Sequence, residues 1–348
     1  MAACVRSLPV RVFAVALLAA AAARAEPIAP AEHTSAAQGQ AIVTGDGVTA
    51  ISLASGEVVW RTLQRHQTYA PTEVGDRIFV GSSDGLAAID RGRGTVLWRA
   101  ARGRTVFSPL AVGGLLYAGT LDAELIAFDA TSGRRRWRRR LDGWIYSPVL
   151  SDGMLVTGGS AATLWWSDAD SGTVRHRRRL DQELVAAPVA AAGGVVARTY
   201  AGTITYFDSQ AEPRWQVTGP PGALPPLVVG SDVLVVGMDG RLELRSLGDG
   251  RPVWQGRLGS RILTPPVVAG DRVLLIADSG EAGLLDAGAR RWRHTVRLPA
   301  TSAGARPLFR DGQWLLIDAD GPAPSVLSWP AAMPAGRTPT TNRKEIER

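Results

Sequence analysis

Cysteine is all but missing from this chain. The single one, Cys4, lies ahead of an apolar stretch near the N-terminus, so the remainder can form no disulfide. Lysine and asparagine are as scarce: of 39 basic side chains only Lys344 is not arginine, and the sole asparagine is Asn342. So lopsided a usage reads as genomic composition bias. With no recognised nucleic-acid module behind it, the formal charge of +7 argues for no nucleic-acid partner. The four histidines, His33, His66, His176 and His294, are never paired at metal-ligand spacing, and no metal site is expected. No phosphate loop or dinucleotide fingerprint occurs, and the serines read as turn and strand-start residues. Beyond the leader no apolar run is long enough for a membrane-spanning helix, which needs about 20 residues.

The N-terminus carries Arg6 and Arg11, an apolar stretch from Val12 to Ala23, and Ala23-Arg24-Ala25 before Glu26-Pro27. That is the layout of a cleaved secretory leader over residues 1–25, with export to the periplasm as the expected consequence. A membrane anchor is the alternative for the same stretch. Loss of Arg6, Arg11 and Arg24 would bring the formal charge to about +4. A lipid-attachment cysteine would have to follow the apolar stretch, and Cys4 precedes it, so no lipid anchor is expected.

What the chain does have is a repeat. Trp60, Trp98, Trp137, Trp215, Trp254 and Trp292 recur at intervals near 39 residues, and His176 bisects the one double interval. A proline ladder (Pro71, Pro109, Pro148, Pro188, Pro226, Pro266, Pro307) keeps the same period and extends it to an eighth, degraded copy. Each unit reads as four short strands; in residues 108–140 these are Ser108 to Val112, Leu115 to Gly119, Leu125 to Phe128 and Arg134 to Arg140. Four strands per period of about 40 residues is the pattern of propeller blades. The expected fold is all-β: one eight-bladed β-propeller over residues 26–330, four antiparallel strands per blade, with a loose tail at 331–348. Seven blades is the alternative, and residues 26–41 are the candidate donor of the strand that the eighth copy lacks. A blade cannot bury both faces alone. The markers Trp60, Trp98, Trp137, His176, Trp215, Trp254 and Trp292 are therefore read as blade-docking residues.

The marker text, Ala-x-Asp-x-x-x-Gly-x-x-x-Trp in Ala88, Asp90, Gly94, Trp98 and in Ala127, Asp129, Gly133, Trp137, resembles the tryptophan-docking repeat of pyrroloquinoline-quinone (PQQ)-type propellers. The resemblance covers about residues 33 to 330. That family contains quinone-dependent dehydrogenases and also BamB, a non-catalytic eight-bladed scaffold of the outer-membrane β-barrel assembly machinery. Length and copy number favour the BamB branch, although the lipobox typical of BamB chains has no counterpart here. The dehydrogenases require a Ca²⁺ site of six to eight oxygen ligands, and the resemblance adds a vicinal disulfide beside the quinone. Here Asp84, Asp90, Asp122, Asp129, Asp168, Asp208 and Asp239 all fall at repeat turns, which explains them without a metal. The expectation is a non-enzymatic, cofactor-free protein-binding scaffold, with a quinone- or small-ligand-binding propeller as the alternative.

In a four-stranded antiparallel blade the second-to-third-strand turns and the blade-to-blade connectors share one face. The connectors vary while the strands repeat, so the expected partner residues there are Arg65, His66, Arg104, Trp144, Tyr146 and Arg261. Two arginine runs, 134–140 and 175–179, fall on outer strands of adjacent blades. They are expected to merge into one basic patch containing Arg138, Arg140, Arg177 and Arg179. That patch would face an acidic protein domain or an anionic membrane surface, or simply guard edge strands against unwanted pairing.

Overall fold

Outer strands alternate half-buried and exposed side chains at period two, as in Val174–Arg179, whereas inner strands such as Gly194–Arg198 are buried on both faces, and no helix occurs among the described residues. The computed structural model describes residues 34–37, 39–222, 224–259, 261–298, 306–310, 313–318 and 325–329. All lie within one compact unit, 31–348. The expected leader (1–25) and tail (331–348), and with them Cys4, lie outside the described residues.

Eight antiparallel sheets follow one another along the chain. The second to seventh have four strands each, in sequential order. The third sheet, for instance, is Leu110–Val112, Leu115–Gly119, Glu124–Asp129 and Arg135–Arg140, close to the strands expected from the repeat. The first-strand segments of neighbouring sheets touch, as Thr72–Val74 does with Leu110–Val112 and Val149–Ser151 with Val189–Ala191. Sheets that meet along their first strands and fan outward are wedges around an axis, which is a β-propeller.

Ring closure differs from the expectation. Thr34–Ala37 pairs with Gln40 to Val43 and so builds the first sheet instead of completing the eighth. The eighth sheet has three strands among the described residues, Arg306–Arg310, Gln313–Asp318 and Ser325–Trp329. The circle closes by packing: Thr34–Ala37 lies beside Arg306–Arg310, and Ala41, Val43 and Ile51 bury with Leu308, Leu315 and Ile317. One apolar cluster fills each of the eight inter-sheet boundaries. That decides for eight blades over seven.

The marker tryptophans bridge these boundaries. The indole N–H groups of Trp60, Trp98, Trp137 and Trp215 donate to the carbonyls of Arg91 (2.9 Å), Ala130 (3.3 Å), Ala169 (3.0 Å) and Leu247 (2.7 Å) in the following sheet. The motif glycine is the seat for the ring. Gly133 has φ 70°, and a Cβ there would come within 2.6 Å of Trp98. Only glycine satisfies both demands. So the Trp of one repeat docks on the Gly of the next.

Register corrects one marker. In sheets one to six the marker pairs with the residue just before the bulge on the next strand inward, as in Ala88↔Trp98, Trp166↔His176 and Leu244↔Trp254. In the seventh sheet that partner is His294, through Leu284↔His294, while Trp292 pairs with Leu285. Trp292 turns back to the sixth sheet, where its ring meets Trp254 edge-on at 5.7 Å. Trp254 thus packs on a tryptophan in place of a glycine seat.

A buried arginine ties the Pro-rich connector between the fifth and sixth sheets to the strands beside it. The guanidinium of Arg198, 1% exposed, donates to the carbonyls of Leu224 (3.1 Å), Val236 (2.9 Å) and Pro220. Burial holds its pKa down at about 10.

The turn aspartates act as side-chain caps. Asp129 accepts from Ser132 N–H (2.9 Å) and hydroxyl (2.8 Å), and pairs with Arg136 at 2.6 Å. These partners hold its carboxyl at about 2, against a usual 3.8. Because the folded value is depressed, the stabilisation is complete above about pH 4 and is lost as pH falls towards 2. Asp129→Asn should therefore lower the melting temperature at pH 7 and lower it much less at pH 2. A loss of equal size at both pH values would contradict this origin.

Candidate functional site

One hydrogen bond repeats on the connector face. In six consecutive second-to-third-strand hairpins a tip residue donates its N–H to a connector carbonyl: Ser83 to Gln67, Leu121 to Thr105, Ser160 to Trp144, Tyr200 to Glu183, Met238 to Pro221 and Asp278 to Arg261. Hairpins and connectors therefore do share a face, as the topology requires. The connectors are held against rigid strands, which suits them to present side chains.

Several of these tips carry apolar groups in water. Leu121 is 40% exposed, Tyr200 37% and Met238 38%, and Leu263 on the sixth-to-seventh connector is 48% exposed. Composition hid them, since lone apolar residues in turns carry no periodic signal. Only the repeated backbone bond shows that three of them occupy one position.

The expected partner residues divide. Arg104, Arg140 and Trp144 come together with Leu121, Asp122 and Glu124 around an open cleft of about 620 Å³. Arg104 pairs with buried Glu124, whose other oxygen meets Arg138 at 3.4 Å. Arg140 makes no ion pair among the described residues. Trp144 is fixed through its N–H to the Ser160 hydroxyl, 3.0 Å. Arg261 lies far along the ring and pairs with Asp278 at 2.8 Å. Arg65 is exposed and its N–H donates to Asp46 at 3.1 Å. His66 is half-buried. Nearby, the Asp84 carboxyl is held low chiefly by the Gly103 N–H and then by Arg102.

Tyr146 belongs to a different group. Tyr69, Phe107 and Tyr146 take equivalent places where connectors enter the first strands, donating their N–H groups to the carbonyls of Gly81, Gly119 and Gly158. Their rings follow one another at 5.1 and 5.6 Å. Burial pushes the Tyr146 and Tyr200 hydroxyls and the Glu183 carboxyl up. This apolar, aromatic entrance is not a cluster of carboxylates. Among the described residues no group of three or more His, Cys, Asp or Glu is placed to hold a metal ion. Gly81-Ser82-Ser83-Asp84-Gly85 has the spacing of a nucleophile elbow, which the reading of the serines passed over. It forms the tip of an antiparallel hairpin between Arg77–Ser82 and Gly85–Asp90, not a strand-to-helix turn.

The single basic patch is corrected to two. Strand pleating sends successive side chains to opposite faces. Arg138 and Arg140 stand opposite Ile126 and Glu124, on the side that packs towards the second sheet. Arg177 stands opposite Trp165, whereas His176 stands opposite Trp166, which packs on the fifth sheet. Arg177 and Arg179 therefore face the third sheet from its other side.

A family model described as outer membrane protein assembly factor BamB matches residues 44–143, 139–260 and 214–322. No curated protein matches the chain. Among solved structures, BamB from Moraxella catarrhalis superposes with a TM-score of 0.69 at 16% identity, covering 85% of this chain and 95% of that one. The computationally designed Ika8 protein superposes at 0.72 and 16% identity, covering 87% and 98%. At these identities the superpositions speak for the fold alone, but the family match takes in most of the repeats, and the chain belongs to the PQQ-like repeat family of BamB.

Proposed function

We propose that this propeller is a non-catalytic, protein-binding scaffold of the bacterial envelope, exported by a leader at residues 1–25 and acting, like BamB, in outer-membrane protein assembly. The observation that carries the reading is the connector face. Exposed Leu121, Tyr200, Met238 and Leu263 stand on a hydrogen-bonded frame, with Arg140 and Trp144 beside Leu121. Apolar and aromatic anchors among arginines are the composition of an interface hot spot. A rigid frame lowers the ordering cost of association. The partner is a periplasmic domain of an outer-membrane assembly complex.

The test is co-purification from envelopes of the source bacterium. The unmodified chain should bring down a component of the β-barrel assembly machinery. Leu121→Asp combined with Met238→Asp should abolish this without changing the melting temperature. Leu97→Asp, at a side chain 47% exposed on an outer strand, should not. Capture that survives the tip substitutions would move the interface elsewhere, and absence of any assembly component would remove the BamB-like role.

A further inference from the structure

The groove between the second and third sheets holds more positive charge than its carboxylates can balance. Arg104, Arg135 and Arg138 turn three guanidinium groups to it, against one lining carboxylate, Glu124; Arg99 also borders it, but it stands opposite Ala87, on the face that packs towards the first sheet. Arg99 is on the outer strand Val96–Ala100, Arg104 on the connector, and Arg135 and Arg138 on the outer strand Arg135–Arg140. The cavity measures about 230 Å³, and its floor is apolar, with Ala100, Ile126 and Phe128. Glu124 is divided between Arg104 and Arg138. Asp122, outside the lining, approaches Arg104 only to 3.7 Å. Arg135 makes no ion pair among the described residues. The groove between the sixth and seventh sheets has two arginines, Arg257 and Arg297, against Glu281, a smaller excess.

We propose that this groove is a binding site for a phosphate-class oxyanion. Guanidinium groups offer paired, planar N–H donors that match phosphate oxygens two at a time. An apolar floor weakens screening and strengthens their attraction for an anion. Glu124 orients Arg104 and Arg138 by taking one donor from each, which leaves their remaining N–H groups, and those of Arg135, for the ligand. The site is independent of the scaffold reading, because no protein partner takes part in it.

The experiment titrates the purified protein with inorganic phosphate, using chloride at equal ionic strength as the reference, by thermal shift and calorimetry. Phosphate should raise the melting temperature saturably. Arg135→Gln, which removes no ion pair of the fold, and the double variant Arg135→Gln with Arg138→Gln should each weaken phosphate binding about tenfold or more. Arg177→Gln with Arg179→Gln should leave it unchanged. Two further arms assign the source: co-sedimentation with phosphatidylcholine vesicles containing phosphatidic acid, a phosphomonoester, and with vesicles containing phosphatidylglycerol. Sedimentation with phosphatidic acid that Arg135→Gln abolishes identifies a lipid headgroup. Binding of free phosphate without sedimentation identifies a soluble phosphate. A chloride effect equal to that of phosphate, or an equal loss in the Arg177/Arg179 variant, overturns the proposal.

Discussion

Trp60→Ala should destabilise the propeller by about 3–5 kcal/mol, read from urea unfolding. Its ring is 9% exposed and packs with Ile42, Val48, Ile78 and Ile89 at the first boundary. A Cβ on Gly94 would approach it to 2.5 Å, so the seat fits an indole and nothing can collapse into the vacated space without moving backbone. The variant also strips the Arg91 carbonyl of its indole donor. Trp60→Phe, which refills most of the volume but has no N–H, should recover the larger part of the loss. A Trp60→Ala chain that unfolds within about 1 kcal/mol of the parent would show that boundaries do not depend on docked indoles.

Glu73→Ala should cost about as much, some 3–5 kcal/mol, because it strands a charge. Arg91 is 1% exposed and pairs with Glu73, and its guanidinium also donates to the Gln40 carbonyl at 3.2 Å. Later repeats have Ala130 and Ala169 after the motif aspartate, where this repeat has Arg91. Alanine is therefore compatible with the position. The double variant Glu73→Ala, Arg91→Ala should be more stable than Glu73→Ala alone, since removing both charges removes the desolvation penalty. Glu73→Ala and Trp60→Ala meet at one residue, so their losses should not add. If the double variant is the less stable, the pair is a net source of stability and this account of it fails.

The repeat was legible because it is written in residues that tolerate little exchange. Trp98 needs Gly133, and Gly133 needs a left-handed turn, so both survive as a spacing. Where the chemistry relaxes, spacing misleads. Trp292 kept the marker's identity two residues away from its register, and His294 took the position itself. The interval from Asp286 to His294, equal to that from Asp129 to Trp137, was the available signal.

The candidate site was legible in part. That connectors and hairpin tips share a face follows from antiparallel topology, and Arg104, Arg140 and Trp144 did prove to be neighbours. Glu124 passed unnoticed, although its buried carboxylate holds both Arg104 and Arg138. A lone acid at a strand start has no motif. The two arginine runs looked like one patch because a string of letters has no faces, and pleating gives each strand two.

Repetition alone thus settled the fold class, the blade unit and the docking role of its aromatic markers, since each is a local requirement restated in every copy. The number of wedges that close the circle, the way Thr34–Ala37 enters it, and the side on which each charge lies were decided in three dimensions. Those depend on contacts between segments as distant as Val43 and Leu308, and no short-range pattern encodes a pairing across the whole ring.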